Sequence, residues 1–296
     1  MISIIIPSHN RAHFLPRALL SIINQEYNSW EAIVVDDGST DNTEEVVGRL
    51  IEKDSRIKYI KKANSGATHS RNIGVENAKG DYITFLDSDD EAEPKWLKSF
   101  NELIVNKGAR VICCGFEYRD HNNKLIKQHF PKPMGSLYYN KIGRFTNGGV
   151  FILEKDLFLK AGGYDENVKA GQHSEMAIRL FQILEQQDII IYNLFVSLIR
   201  VHVHKGEKIR NNDLALYEGT KYVLEKHKSL FCKNKKIYSN NLGIAAVSAV
   251  RLGKYEAAKG FFYHSWILSP LNIKKFIRWL ISLIPFLAQK FWKKDH

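Results

Sequence analysis

The stretch YITFLDSDDEAEP, Tyr82 to Pro94, carries five carboxylates (Asp87, Asp89, Asp90, Glu91 and Glu93) within seven residues, directly after an apolar run. Like charges that close repel, and burial strengthens the repulsion. A positive group is therefore expected among them. Glu91 and Glu93 suit the positive end of a helix beginning near Pro94. Asp87 and Asp89 ask for more. At extended spacing they point to one side of a strand, and two carboxylates facing one way at the mouth of a sheet suit Mg²⁺ or Mn²⁺. Such ions take hard oxygen ligands.

The elements that would position these acids read as alternating strands and helices. Apolar strands are expected at ISIIIP (2–7), EAIVVDD (31–37), IKYI (57–60) and DYITFLD (81–87). Helices are expected at about 12–25, after Asp41 and Glu44 as a capping box, at 68–78, and from near Pro94. Continuous apolar strands alternating with helices imply an α/β fold with a mostly parallel sheet covered on both faces. Ligands of such sheets gather at the carboxyl ends of the strands. Ser8, His9, Asn10 and Arg11 follow the first strand, Asp36 and Asp37 end the second, and Asp87 to Asp90 end the fourth. One strand-end Asp commonly caps the next helix; three polar clusters on one edge point to a ligand.

Beyond about residue 109 the pattern changes. VICCGFEYRD and KLIKQHF read as a hairpin turning at His121 to Asn123, followed by NGGVFI, GGYDENV, a helix at 175–184 and the apolar run 188–204. The remainder is helical, and LGKYEAAKGFFYHSWILSP matches the second half of a tetratricopeptide repeat at Gly253, Tyr255, Ala258, Phe262 and Pro270. The expected organisation is a domain over 1–205, with halves 1–105 and 106–205, and a helical appendage over 206–296.

The net charge of +11 is concentrated at one end: from Lys221 onward the chain has 15 Lys and Arg against three acids. Apolar and aromatic residues interleave with this charge in FIRWLISLIPFLAQKFWKK, which favours an anionic membrane surface over nucleic acid. The apolar core of that stretch, Trp279 to Ala288, is about half the ~20 residues that span a bilayer. No signal-peptide core is visible at Ile2 to Ile6, and the three cysteines, adjacent Cys113 and Cys114 and distant Cys232, form no disulfide or zinc pattern. A cytoplasmic protein touching the inner face of the membrane is expected.

Residues 1 to about 205 resemble the family 2 glycosyltransferases of the GT-A fold. SIIIPSHNRAHFLPRALLSIINQ, EAIVVDDGSTDNT, SGATHSRNIGVENAKGDYITFLDSDD and, more loosely, GGVFILEKDLFLKAGGYDE carry the resemblance in order and spacing. It implies metal-dependent transfer of a sugar from a nucleotide-sugar donor, usually a UDP-sugar, to an acceptor hydroxyl with inversion. The acceptor would be a saccharide or lipid-linked saccharide in cell-surface polymer or glycolipid synthesis. By that resemblance Asp87-Ser88-Asp89 is the DXD position, with Asp89 the metal ligand and Asp87 on the ribose or metal-bound water. Asp90 either caps the next helix or joins the metal. Asp37 would accept from the uracil ring, with Asp36 beside it as a second contact or a turn residue. Pro7, Ser8, His9, Asn10 and Arg11 would line the nucleotide pocket. Gly66, Arg71 and Asn72 would complete it, Arg71 pairing with a phosphate or locking the acidic cluster. Gly148 and Gly149 would let backbone approach the acceptor, and His202 or His204 would lie against the metal or diphosphate.

One segment departs from the family pattern. An inverting transferase needs a general base for the acceptor hydroxyl, and many relatives use the Asp of a Glu-Asp pair. AGQHSEMAIRL has Gln172 and His173 at those places. His173, with an ordinary pKa near neutrality, is the expected base, with Glu175 in reserve. Two other classes bear weighing. A dehalogenase-like phosphohydrolase also uses Asp-x-Asp after a strand, but requires it on the first strand, which here ends in Pro-Ser-His-Asn. A non-catalytic nucleotide-binding or scaffolding relative would account for the missing Glu-Asp pair.

Overall fold

A computed structural model describes residues 1–203 and 212–292. Contacts divide the chain into two compact units: Met1–Glu166 with Met176–Lys205, and Asn167–Glu175 with Gly206–His296. The segment bearing Gln172 and His173 thus clusters with the C-terminal helices, where the sequence-based division keeps it in the first domain.

In the first unit, β1 (Ile2–Ser8) and β2 (Trp30–Asp36) are buried at every residue. Their Ile- and Val-rich runs are covered on both faces, as a parallel strand requires. Helix α1 (Leu15–Ile23) buries Leu15, Ala18, Leu19 and Ile22, one stripe at helical spacing. Helix α2 (Thr43–Ile51), strand β3 (Ile57–Lys61), helix α3 (Ala67–Glu76) and strand β4 (Tyr82–Phe85) follow. Strands β3, β2, β1 and β4 lie side by side in parallel, with Ser8 level with Asp36 and Ile5 level with Phe85.

The second part of this unit contains β5 (Glu91–Ala92), α4 (Trp96–Lys107), β6 (Val111–Arg119), β7 (Leu125–His129), β8 (Lys132–Pro133), β9 (Ile142–Gly143), β10 (Phe151–Glu154), α5 (Lys155–Lys160), α6 (Gln172–Gln186) and β11 (Ile191–His202). The sheet continues from β4 through β10, β6 and β11 to β5, and β7 pairs with β6. The parallel part is the β3-β2-β1-β4 half and the β6–β11 pair; β10, β5 and β7 run antiparallel to their neighbours. The hairpin expected across His121 to Asn123 is the β6–β7 connection, and Asn123 takes the positive φ such a turn needs.

The expected capping box is not formed. Residue Asn42 is the N-cap of α2 and makes no side-chain cap bond. The Asp41 carboxylate instead accepts from Thr43 N and Oγ1 and, across the loop, from Ala12 N at 3.1 Å. It ties the start of α2 to the segment after β1.

The second unit holds α7 (Asp213–Lys226), α8 (Lys228–Lys233), α9 (Lys235–Arg251), α10 (Tyr255–Ile267), α11 (Ile273–Ser282) and α12 (Pro285–Trp292). Its core joins Tyr217, Ala246, Ala249, Val250, Ala258, Phe262, Ala288 and Trp292. Ala258 and Phe262, two of the repeat-like positions, lie in that core. Among the described residues no helix is long and apolar enough to cross a membrane.

Candidate active site at the carboxyl edge of the sheet

Strand β4 stops at Phe85, so Asp87 and Asp89 are not related by extended spacing as the sequence implied. Residues 87–90 form a turn closed by Asp90 N donating to Asp87 O at 2.9 Å. Asp87 is held from beneath by Arg71 on α3, whose Nη2 donates to Asp87 Oδ1 at 2.8 Å. The Arg71 side chain is only 7% exposed and that of Asp87 29%, so the guanidinium is the positive group the crowded acids require. It locks the cluster rather than waiting for phosphate. Ser88 and Asp90 are buried in the turn, while Asp87 and Asp89 stay partly open to solvent.

Gly148 approaches this turn from the chain entering β10. A methyl group added at its Cα would lie 3.1 Å from Asp87 N and 3.2 Å from Asp87 Oδ1. The absent side chain therefore makes room for the Asp87 turn. At Gly149 the reason is packing: φ is +77°, a methyl would meet Ile199 Cδ1 at 2.5 Å, and its carbonyl accepts from Trp96 Nε1 at 2.8 Å. Both glycines are required by protein-to-protein packing.

At the second strand end the two acids separate in role. Asp36 is fully buried, with Oδ1 accepting from Ser39 N at 2.9 Å and from Ser39 Oγ, and Oδ2 accepting from the Tyr59 hydroxyl. Burial and the neighbouring Asp36 push the Tyr59 hydroxyl well above its ordinary pKa, so it stays a donor. The reading of Asp36 as a nucleotide contact is corrected: it braces the turn after β2. Asp37 accepts from Ser65 N and Gly66 N, each at 2.8 Å, and from Lys62 Nζ. Burial would raise its carboxyl, but Lys62 and the two backbone donors outweigh it and hold the pKa below the ordinary value. Gly66, at φ +99°, is the N-cap of α3, so Asp37 fastens the start of the helix that delivers Arg71.

The segment after β1 is pinned across the same edge. Pro7 continues the sheet opposite Val35, and the Asp37 N–H donates to Ser8 O at 2.8 Å. The Ser8 side chain is buried and its hydroxyl makes no hydrogen bond among the described residues. His9 Nδ1 lies 2.9 Å from Asp37 O. Asn10, at φ +52°, accepts on Oδ1 from Thr40 N at 2.8 Å, and its own N–H donates to Ser39 Oγ at 2.8 Å. Arg11 turns the chain into α1 by accepting from Phe14 N and Leu15 N. Asn72 does not face this pocket: its side chain accepts from Tyr164 N and donates to Tyr164 O, both at 2.9 Å, which corrects its reading as a nucleotide contact.

Glu91 and Glu93 are not helix-end acids either, since α4 begins at Trp96 with no acid in its first turn. Strand β5 pairs with β11, so Glu91 meets Arg200 at 3.0 Å and His202 Nε2 at 3.1 Å, and Glu93 meets Arg200 at 2.6 Å. His202 is thereby engaged with a carboxylate; burial and Arg17 lower its pKa. His204 lies outside the described residues. Two residues missed in the sequence complete the edge. Arg17 of α1 donates from Nη2 to Asp89 O at 2.6 Å, and Arg200 sits among Glu91, Glu93 and Glu117. Each is a lone cation in an apolar run, LPRALL and SLIRV, and that was their signal.

In the C-terminal unit, His173 stands in the first turn of α6 and is 8% exposed. Glu175 is 1% exposed, and its Oε1 accepts from Lys226 Nζ at 2.8 Å and lies 3.0 Å from His227 Nε2. A carboxylate so enclosed and doubly held anchors the first turn of α6 to the junction of α7 and α8. Its reading as a reserve base is corrected.

The model of glycosyl transferase family 2 matches residues 3–161. The chain belongs to that family. An uncharacterized family relative from Rickettsia conorii, the glycosyltransferase RC0461, is 46% identical over 301 residues, covering 96% of this chain and 47% of that protein. An uncharacterized glycosyltransferase of Haemophilus influenzae is 46% identical over 108 residues, 36% of this chain and 43% of the other. Glycosyltransferase GlyA of Streptococcus pneumoniae is 34% identical over 150 residues, 51% of this chain and 21% of that protein. The chain therefore spans less than half the length of each of these relatives. Residues 1–349 of S. aureus TarS share the fold at a TM-score of 0.59 and 15% identity, over 100% of this chain and 92% of that one. The same TarS fragment has been solved with UDP-GlcNAc, at 16% identity over 95% of this chain and 79% of that one. These matches support the GT-A architecture, with helices following the sheet domain.

Proposed function

We propose that the protein transfers a sugar from a nucleotide-sugar, a UDP-sugar, to an acceptor hydroxyl with inversion, in building a cell-surface polysaccharide or glycolipid. The observation that carries this reading is the Arg71–Asp87 pair, which holds the Asp87-Ser88-Asp89 turn at the edge where Asp37 and the β1 exit also lie. Family membership and the UDP-GlcNAc complex of TarS support the donor class.

The donor set fits Mn²⁺ or Mg²⁺. Asp87 and Asp89 offer hard oxygens that remain partly in solvent. Among the described residues no group of three or more His, Cys, Asp or Glu is arranged to hold a metal; an ion here would be held by Asp87 and Asp89, with phosphate and water supplying its other ligands. When bound, the ion neutralises charge developing on the departing diphosphate. The chain's own residues do the rest. Arg71 keeps Asp87 aimed, and Arg17 fixes the carbonyl of Asp89. Asp37 and the unspent Ser8 hydroxyl serve the base of the nucleotide. His173 takes the proton of the acceptor hydroxyl, at the position where relatives use an acid.

A second reading, a nucleotide-binding relative without turnover, is favoured by Gln172 and His173 standing where a Glu-Asp pair is usual. Isothermal titration with UDP and Mn²⁺, run beside sugar release from a panel of UDP-sugars, decides between them. Metal-dependent UDP binding with turnover is the expected result. Binding without turnover of any donor selects the second reading, and no metal-dependent UDP binding removes both.

A further inference from the structure

The C-terminal unit has two apolar helix faces where its core needs one. On the inner face, Trp279 and Ile281 of α11 and Ala288 and Trp292 of α12 join Phe262 and its neighbours in the core. Exposed beside them are Ile273, Ile277 and Leu280 of α11, Ile284 in the connection, and Leu287 and Phe291 of α12, at helical intervals of three or four within each helix. Every one of them is at least 42% exposed, and Phe286 beside them is 72% exposed. A run of this kind marks an interaction surface.

Charge decides the occupant. Lys274, Arg278 and Lys290 are exposed among these residues, and the sequence has no acid between Glu256 and Asp295. Two copies meeting through this face would oppose cation to cation with no carboxylate to pair them. An anionic bilayer answers both features together, offering an apolar layer for the stripe and negative headgroups for the cations. We propose that the outer face of α11 and α12 lies in the interface of an anionic membrane, its stripe at the acyl boundary and Lys274, Arg278 and Lys290 at headgroup level. Membrane contact stands apart from the catalytic reading, because partitioning and turnover are measured separately.

The test is flotation of the 296-residue chain with vesicles of phosphatidylcholine alone and of phosphatidylcholine mixed with phosphatidylglycerol. Partitioning onto the mixed vesicles is expected to be about tenfold stronger and to weaken in salt. The double variant Ile277→Glu/Ile284→Glu should lose about tenfold in partitioning with an unchanged thermal unfolding curve, since both side chains are exposed. The triple variant Lys274→Gln/Arg278→Gln/Lys290→Gln, also at exposed positions, should lose the preference for phosphatidylglycerol. Equal partitioning onto both vesicle types by the unaltered chain overturns the proposal, as does undiminished binding by the double variant. Sedimentation showing a dimer that the double variant dissociates also overturns it, assigning the face to a second copy.

Discussion

Arg71 reaches Asp87 from inside the sheet domain, donating at 2.8 Å from a side chain 7% exposed to a carboxylate 29% exposed. The asymmetry matters: the cation is buried and the anion partly exposed, so the pair orients Asp87 without withdrawing it from solvent. Replacing Arg71 by Met should leave the acidic turn without its counter-charge. Breaking a buried pair costs about 3–5 kcal/mol, and the partial exposure of Asp87 reduces this to roughly 1–3 kcal/mol. Urea unfolding measures that loss, and sugar release should fall more steeply than stability does.

Arg17 acts on the same turn through backbone, by the 2.6 Å bond to Asp89 O. Arg17→Met should raise the Mn²⁺ concentration needed for half-maximal turnover several-fold, with a small change in melting temperature. An unchanged metal requirement would show that Asp89 is held by other means.

Asp37 contributes one clasp to stability in acid. Its folded pKa lies below its unfolded value of about 3.8. The unfolded chain therefore binds its proton first, and the stabilisation is present above about pH 4 and is lost as pH falls through the folded pKa. Asp37→Asn should be less stable than the unaltered chain at pH 7, and the gap should narrow below about pH 4. Urea midpoints at several pH values measure this directly. A gap that stays constant with pH would remove Asp37 from the acid response.

His173 and Glu175 should separate cleanly by kinetics. His173→Ala is expected to lower kcat by about 10²–10⁴ while the donor KM holds, because a proton acceptor acts in the transition state. Glu175→Gln removes the anion shared by Lys226 and His227, and should instead lower the melting temperature. Equal loss of stability in both variants would make His173 structural.

Much of this architecture was legible because local pattern and tertiary role coincide. Strands β1 and β2 are mostly apolar and buried at every residue since both faces are covered, and helices such as α1 show their buried stripe directly. The site was legible as strand ends, which a parallel α/β sheet brings to one edge. The division of labour within it was not. Asp36 and Asp37 are adjacent and chemically identical, and only Ser39 and Tyr59 on one side, and Lys62 and the 65–66 amides on the other, distinguish them. Glu91 and Glu93 looked like helix-end acids because their partner Arg200 lies more than a hundred residues away and meets them only through the β5–β11 pairing. Asn72 stood in a motif of ligand contacts, yet its amide matches the Tyr164 backbone, a complement no local spacing encodes.

Strand β10 runs against β4, so the chain arrives at Gly148 and Gly149 where the earlier strand departs toward Asp87. An extra residue at that junction would turn every side chain of β10 to the opposite face and dislodge the footing of the acidic turn in the same stroke. Length variation there is thus costly. A projecting connection such as the Asp120–Lys124 bend, which closes on its own backbone, can grow or shrink at far smaller cost.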